Sequence, residues 1–477
     1  MNRSVLAVLG LLFACVMVIY SCGGSMTNPV LPGASALSVT ITDTPPAGVT
    51  VLSFEVSVTG ATLNPGSVDL LAGRGPARIE VEQLETESAF LNTARVNPGT
   101  YTSLNLTFAN PELTFKNGTG AMLAGCAPGA VCEIKPTGIL SSMVNFSPGL
   151  VIPGTTSMSG MMSEDDAQTA MGIKLDLDLN TILTGTLGVD FGQSGAVTVK
   201  QLTREVEGEF DDVNELKGTV QNLNTTNMTF TLHTMSGDFP ITTDSNTQFE
   251  FENCTASNFS CLQSNMVVEV DAMMMPGGIF LARKIEFEDD AEDDELEGVV
   301  FKIDDAMHFE MVVLDELRSL NNVNVGNPVV VTLSNPRFRV QMEDLNVPSA
   351  LVNAFQGATD TSQLLPGQTV QVRLTAPANP GPPVSVTADR VRLRMTQFTA
   401  SVSGAPVPLN FMVGNLPSLF TSAGITSIQV DTSSETDFEG VAGVSGLADT
   451  NTVSVRGLLF SNGANPPVLV AKKVRKR

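Results

Sequence analysis

Hydrophobic and polar residues alternate one by one along most of the chain beyond residue 35. Clear examples of this pattern are residues 37–42, 51–58 and 104–108. A period of two is typical of β-strands with one buried face. Turn-forming clusters such as Asn97-Pro98-Gly99 separate the runs, which favours antiparallel pairing. Short helices are predicted over residues 82–92 and 345–354, and the overall pattern predicts an all-β protein.

The second half of the chain repeats one pattern three times. Each copy has a short strand around a phenylalanine, and the three read Thr247-Gln-Phe249-Glu, Pro336-Arg-Phe338-Arg and Thr436-Asp-Phe438-Glu. Each copy closes with an alternating strand, and these end in Arg283-Lys-Ile285, Asp389-Arg-Val391 and Lys472-Lys-Val474. The first two copies also open alike, with Glu215-Leu-Lys217-Gly218 and Glu295-Leu-Glu297-Gly298. We therefore place the copies at residues 213–288, 293–394 and 395–477.

Each copy contains about five short strands, and its last strand returns to the first. Such a unit closes as a small barrel, which removes exposed sheet edges. Residues 36–200 precede the repeats and carry alternating runs without that pattern. The predicted fold is an N-terminal antiparallel β-sandwich followed by three small OB-like β-barrel repeats.

The N-terminal segment has the pattern of an export signal. Residues 5–19 are apolar and follow Arg3, and fifteen residues are too few to span a bilayer as a helix, which takes about 20. Ile19-Tyr20-Ser21-Cys22 resembles the lipobox of bacterial lipoproteins. That resemblance implies a signal peptide over residues 1–22, a flexible tether over residues 23–35, and a lipidated Cys22 that anchors the chain in a membrane.

Because Gly23 rather than Asp follows the cysteine, the resemblance implies the cell envelope, at the outer membrane of a Gram-negative bacterium. An ordinary signal peptide that is cleaved elsewhere is the alternative.

Four cysteines remain beyond the signal, in two close pairs. The pairs are Cys126 with Cys132 and Cys254 with Cys261. An even count in an exported protein favours disulfides, whereas these spacings exceed those of zinc-binding pairs. We predict that each close pair is a disulfide.

Charge excludes some functions. The formal net charge is −24, and a chain this acidic repels phosphate backbones, so we expect no nucleic-acid partner. The sequence has only two histidines and none of the common hydrolase or nucleotide-binding motifs. We therefore expect a protein that is not an enzyme.

Residues 286–297 form the densest charge cluster, with nine carboxylates in twelve positions. Clustered carboxylates bind calcium, and the candidate ligands are Asp289, Asp290, Asp293 and Asp294. A solvated, self-repelling linker between barrels is the alternative, because the run lacks the ligand spacing of a calcium loop. No other cofactor is expected.

Two family resemblances cover most of the chain. Residues 36–190, with Thr42-Asp43-Thr-Pro45 and Pro98-Gly99-Thr-Tyr101, resemble domain-of-unknown-function family 4382. The repeats, with Gly218 and Gly298 in their openings, resemble family 5666. Neither resemblance implies a reaction or a ligand.

We expect a non-catalytic envelope scaffold or binding module for a protein or polysaccharide partner. A calcium-responsive module, with ions at the acidic junctions, is the alternative. An envelope hydrolase with an unrecognised carboxylate pair is a weaker one.

Overall fold

The computed structural model describes residues 35–44, 49–72, 75–81, 89–153, 171–203, 212–234, 237–251, 254, 256–275, 279–289, 294–317, 323–342, 345–381 and 383–477. The predicted signal peptide, with Cys22, lies outside these residues, as does most of the predicted tether. In the described part of the chain, no helix is long and apolar enough to span a membrane.

The described part of the N-terminal domain contains twelve strands and one short helix. They are β1 (Ser35–Thr44), β2 (Thr50–Asn64), β3 (Val68–Asp69), β4 (Ala77–Glu80), β5 (Ala89–Val96), β6 (Gly99–Lys116), β7 (Val131–Ile134), β8 (Gly138–Ile139), β9 (Ser141–Ile152), β10 (Met171–Asp178), α1 (Leu179–Ile182), β11 (Val189–Asp190) and β12 (Val197–Thr203). One sheet has the order β12-β10-β1-β5, and the other has β3-β2-β6-β7 with β4 on β2 and β9 on β6. Apart from the parallel pairs β1–β10 and β8–β11, all pairings are antiparallel.

Both sheets contribute to a single core, which makes this domain a sandwich. Phe54 and Phe115 from one sheet and Leu175 from the other are fully buried in it. The prediction of a short helix over residues 82–92 is wrong at its end, because Ala89–Val96 forms β5 beside β1. Leu91, Ala94 and Val96 of this strand bury their side chains in the core, and that burial outweighs local helix propensity.

The remaining described elements form three barrels. Barrel 1 consists of β13 (Asp212–Asn224), β14 (Thr229–Thr234), β15 (Gly237–Thr242), β16 (Gln248–Glu250), β17 (Val267–Met275) and β18 (Ile279–Asp289). Barrel 2 consists of β19 (Glu295–Asp305), β20 (His308–Leu317), β21 (Pro328–Val340), α2 (Ser349–Gln356), β22 (Thr369–Leu374) and β23 (Val384–Leu393). Barrel 3 consists of β24 (Thr396–Val407), β25 (Asn410–Gly414), α3 (Ser418–Thr421), β26 (Ile428–Asp431), β27 (Asp437–Glu439), β28 (Thr452–Phe460) and β29 (Val468–Lys476).

All three barrels have the same strand order. Numbered within one barrel, the five main strands close in the order 1-2-3-5-4, with strands 3 and 5 parallel and the other neighbours antiparallel. This is the Greek-key connectivity of an OB-like barrel, and it confirms the predicted fold class. The glycines of the two similar openings have a steric reason: a Cβ on Gly298 would lie 2.2 Å from the Val312 carbonyl oxygen, and one on Gly218 would lie 2.5 Å from that of His233.

The phenylalanine strands of the repeats occupy one equivalent position. Each runs parallel to the fifth strand of its barrel, and the paired residues are Phe249 with Ile285, Phe338 with Val391, and Phe438 with Val474. In barrel 1 and barrel 3 this strand is separate, as β16 and β27, whereas in barrel 2 it is the second half of β21.

The domains contact one another directly. Leu52 of the sandwich packs in one apolar cluster with Phe301 and Val312 of barrel 2 and Leu419 of barrel 3. The Thr114 hydroxyl of the sandwich donates a 2.6 Å hydrogen bond to the Gly326 carbonyl of barrel 2.

Part of barrel 3 packs into the core of barrel 2, although barrel 3 also has a core of its own. Phe460 and Val470 of barrel 3 belong to the apolar cluster that fills barrel 2. Gln368 of barrel 2 also donates a buried 2.8 Å hydrogen bond to the carbonyl oxygen of Leu459.

Candidate functional site

The outer face of strands 1, 4 and 5, together with the phenylalanine strand, gathers charged side chains in each barrel. In barrel 2, Leu296, Val372, Val391 and Phe338 point into the core, with no exposed surface. Their neighbours along each strand therefore point outward. Across the sheet they form two rows, Glu295–Arg373–Arg390–Arg337 and Glu297–Gln371–Arg392–Arg339. We call this surface the charged face of barrel 2.

The β19 edge of the charged face is a buried ionic network. Glu295 is fully buried and accepts hydrogen bonds from the Arg390 guanidinium and the Gln371 amide. The Arg373 guanidinium donates two hydrogen bonds, of 2.8 and 2.7 Å, to the Asp389 carboxylate. A buried carboxylate is tolerated only when cations and donors satisfy it in this way.

Glu297 joins barrel 1 to barrel 2. The Lys217 ammonium of barrel 1 lies 3.0 Å from a Glu297 carboxylate oxygen, and Nε of Arg394 lies 3.2 Å away. Burial raises the pKa of Glu297, but the charges of Lys217 and Arg394 outweigh it and lower that pKa to about 2. Lys217 and Glu297 hold the same place in the two similar openings, so the barrels meet through equivalent positions of their first strands.

Asp315 lies directly opposite Glu297 on β20. Burial and, to a smaller extent, the negative charge of Glu297 raise the pKa of Asp315, the charge of Lys217 opposes them, and the net result is a pKa of about 6. Lys217 and Arg394 act on both carboxyl groups, which nevertheless differ widely in pKa. Asp315 therefore disfavours the folded state when it is ionised.

We expect Asp315→Asn to stabilise barrel 2 at pH 7.5 and to have little effect at pH 3. The folded-state pKa is raised, so the penalty is absent below the ordinary pKa of an aspartate and grows as the pH rises to about 6. The full shift corresponds to about 3 kcal/mol, and partial access to water reduces the expected gain to about 2 kcal/mol. Urea unfolding at both pH values measures it, with the exposed Glu435→Gln as control. An equal effect at both pH values would contradict the assignment.

The acidic run is not a solvated linker over its whole length. Strand β18 extends to Asp289 and β19 begins at Glu295, so both ends of the acidic run belong to strands. The linker prediction is wrong for Glu295 and Glu297, because they alternate outward on β19 and bind cations that cover them.

The predicted calcium ligands are only partly described. Asp290 and Asp293 lie outside the described residues. Asp289 ends β18, and the Asp294 carbonyl oxygen accepts a 2.8 Å hydrogen bond from the Leu374 amide. Within the part of the chain that the structure covers, no three His, Cys, Asp or Glu side chains are placed to hold a metal ion. Calcium binding at the junction stays a prediction.

At its β21 edge, the charged face of barrel 2 is rich in arginine. Arg337 lies directly opposite Arg390, and Arg339 lies directly opposite Arg392. Arg337 and Arg339 are exposed, and neither forms an ion pair with a described residue. Arg392 donates a 3.0 Å hydrogen bond to Gln371. We call these four arginines the arginine grid.

The same positions are different in the other two barrels. In barrel 1, Gln248 and Glu250 replace the outer arginines, and Lys284 lies 3.1 Å from Glu250. In barrel 3, Asp437 and Glu439 take these positions.

Glu439 lies among cations. Arg475 is 3.3 Å away, and Lys473 and Lys174 are each 3.7 Å away. Burial raises the pKa of Glu439, but the charges of Lys174 and Arg475 outweigh it and hold that pKa below its usual range. In barrels 1 and 3, a carboxylate on the phenylalanine strand therefore pairs with a cation on the fifth strand. In barrel 2 the equivalent positions of both strands carry arginine, so cations face each other.

Both predicted disulfides are present. Cys126–Cys132 joins the loop between β6 and β7 to β7 itself, and Cys254–Cys261 closes a loop between β16 and β17.

The two histidines lie on exposed hairpins, where His233 is 2.6 Å from Asp238 and His308 is 2.8 Å from Asp305. Each is a simple pair of a histidine and a carboxylate.

The fold defines a multidomain chain of one β-sandwich and three OB-like barrels. Within it, residues 217–286, which run from β13 to β18 of barrel 1, match the family model "Domain of unknown function (DUF5666)". No curated protein matches the sequence.

Two solved structures are similar to parts of this chain. One is "drosophila Unr CSD456", at 9% identity and a TM-score of 0.12, covering 56% of this chain and 98% of that one. The other is a multidomain protein with nucleic acid binding domains from Streptococcus pneumoniae, at 10% identity and a TM-score of 0.11, covering 53% of this chain and 71% of that one.

The sequence interpretation missed the arginine grid and the Lys217–Glu297 pair. The signal for the grid was present in the three aligned phenylalanine strands, because only the second has arginine on both sides of the phenylalanine. The pair had a weaker signal: Lys217 and Glu297 are opposite charges at one position of two otherwise similar openings.

Proposed function

We propose that this chain is an exported bacterial lipoprotein that is anchored to the cell envelope through Cys22, at the outer membrane of a Gram-negative bacterium. It acts there as a non-catalytic scaffold and binding module for a polysaccharide or protein partner. In this proposal the sandwich is a member of domain-of-unknown-function family 4382, and barrels 2 and 3 are divergent copies of the domain matched in barrel 1.

The observation that carries this proposal is the packing of the domains. Leu52, Phe301 and Leu419 join the sandwich to barrels 2 and 3, and Lys217 and Glu297 join barrel 1 to barrel 2. Contacts of this kind favour a scaffold that holds its barrels in fixed relation and presents their outer faces. A chain of independent modules would not need them.

The chemistry of the carboxylates supports a non-catalytic role. Glu295 and Glu297 are held by cations and amide donors, which stabilises their ionised forms and serves structure. A catalytic acid of a hydrolase needs a carboxyl group that holds its proton and faces substrate. Asp315 holds its proton up to about pH 6, but it lies opposite Glu297 where Lys217 of barrel 1 packs against barrel 2.

The surface supports the absence of a nucleic-acid partner. Among the described residues, the large exposed apolar side chains are methionine, isoleucine, valine and leucine, and none is aromatic. Proteins that bind single-stranded nucleic acids through OB-like barrels stack bases on aromatic side chains.

We expect Cys22→Ala to abolish palmitate labelling and to move the protein from the membrane fraction to the soluble fraction. Without the thiol there is no site for the acyl chains, and the folded domains offer no other anchor in this proposal. Labelling in a Gram-negative host, followed by membrane fractionation, measures both effects.

The matched control is Cys15→Ala, which removes a cysteine of the same segment and leaves the lipobox intact. Labelling that persists in Cys22→Ala would refute lipidation at this residue.

A further inference from the structure

The arginine grid is an electrostatic conflict within barrel 2. Like charges directly opposite each other on neighbouring strands destabilise a sheet, and the grid contains two such pairs, Arg337–Arg390 and Arg339–Arg392. The equivalent positions in barrel 3 carry Asp437 and Glu439, which relieve the conflict with ion pairs. The fold therefore does not require arginine at these positions.

The two inner arginines of the grid, Arg390 and Arg392 on β23, differ in their partners from the two outer arginines, Arg337 and Arg339 on β21. Arg390 binds Glu295, and Arg392 binds Gln371, so their guanidinium groups are held in place by the network behind them. Arg337 and Arg339 are exposed and have no ion pair within the described part of the chain. The outer two arginines are thus available to a ligand, and the inner two form an ordered base.

The spacing of the grid suits a ligand with several negative charges. Neighbouring strands are about 4.8 Å apart and alternate residues on a strand about 6.8 Å apart, so the four side chains begin from a small rectangle of backbone. Guanidinium groups bind carboxylate and phosphate groups through two parallel hydrogen bonds. Arg337 and Arg339 at the β21 edge are exposed, which allows a polymer to lie along this edge and to engage both arginines at once.

We infer that the arginine grid binds an acidic polysaccharide, through carboxylate or phosphate groups on successive sugars. This inference rests on the proposed function and names the class of its partner. A protein interface usually has aromatic anchors beside its arginines, whereas none of the large exposed apolar side chains in the described part of the chain is aromatic. A nucleic acid would need the stacking surface that the described barrels lack.

The test uses the full chain, purified in detergent, and fluorescent polygalacturonate as the probe. We expect binding that weakens as salt is added, because the contacts are ionic. Neutral dextran should not bind. The double variant Arg337→Asp with Arg339→Glu installs the residues of barrel 3, and we expect it to bind about tenfold more weakly or less.

The same double variant should be as stable as the native chain or more so, because Asp and Glu relieve the repulsion from Arg390 and Arg392. Its urea midpoint therefore shows that weaker binding does not come from misfolding. The control Arg95→Glu with Lys472→Glu makes the same change in net charge at the sandwich and barrel 3, and it should bind as the native chain does.

Three results would overturn the inference: no salt-sensitive binding to polygalacturonate or to phosphorylated dextran, equal binding by the double variant, or tighter binding to polyglutamate or oligothymidylate than to either acidic polysaccharide. Phosphorylated dextran separates phosphate from carboxylate recognition. Failure of these assays leaves palmitate labelling and fractionation unaffected, so the anchored scaffold is judged separately.

Discussion

Glu295→Ala is expected to destabilise barrel 2 by about 3–5 kcal/mol, which is the cost of removing one partner from a buried ion pair. Glu295 has no exposed surface, and it accepts hydrogen bonds from both Arg390 and Gln371. Without it, a guanidinium with 18% of its side chain exposed and a buried amide lose their acceptor. Urea unfolding of the full chain, followed by circular dichroism, measures the change.

Glu310→Ala is the matched control for this effect. Glu310 pairs with Lys302 at 2.6 Å on the same barrel, but more than half of the lysine side chain is exposed. Ion pairs in water contribute less than about 1 kcal/mol, so this variant should differ little from the native chain. Equal losses in the two variants would mean that the network around Glu295 has no special role in stability.

Phe355→Ala is expected to weaken barrels 2 and 3 together. Phe355 is 1% exposed on α2, and its ring lies 5.4 Å from that of Phe338 in barrel 2 and 6.4 Å from that of Phe460 in barrel 3. Removal of a buried phenylalanine ring costs about 3–5 kcal/mol through lost contacts and the cavity left behind. Because the ring contacts both barrels, we expect the loss in the free energy of unfolding to affect barrel 2 and barrel 3.

Hydrogen exchange of the backbone amides can locate the loss. We expect reduced protection in β21 and β23 of barrel 2 and also in β28 of barrel 3. The control is Asn353→Ala, which changes an exposed residue of the same helix. Loss of protection confined to barrel 2 would show that the two barrels do not unfold as one unit.

The fold class was predictable because the repeats preserve the residues that close each barrel. The alignment of Phe249, Phe338 and Phe438 predicted equivalent strands, and the structure confirms that each pairs in parallel with the fifth strand. The disulfides were predictable because each pair is close in sequence. In both cases the relevant information is local or repeated.

The ionic sites were not predictable in the same way. Glu295 and Glu297 lie in a run that is acidic enough to be interpreted as solvated, and their cations come from positions 217, 390 and 394. The alternation of hydrophobic and polar residues along a strand predicts which residues point away from the barrel core. It does not predict which of these outward faces another domain covers. The helix predicted over residues 345–354 was found nearby, at Ser349–Gln356, because Phe355 anchors it in the core.

The packing of barrel 3 residues into the core of barrel 2 has a consequence for biosynthesis. Phe460 and Val470 are made about a hundred residues after the strands of barrel 2 that they cover, and Leu419 is made long after Leu52. A nascent chain that has already emerged through barrel 2 therefore exposes apolar surface until the third barrel follows. We expect premature stop codons after residue 394 to yield a product that cellular proteases remove, rather than a shorter functional protein.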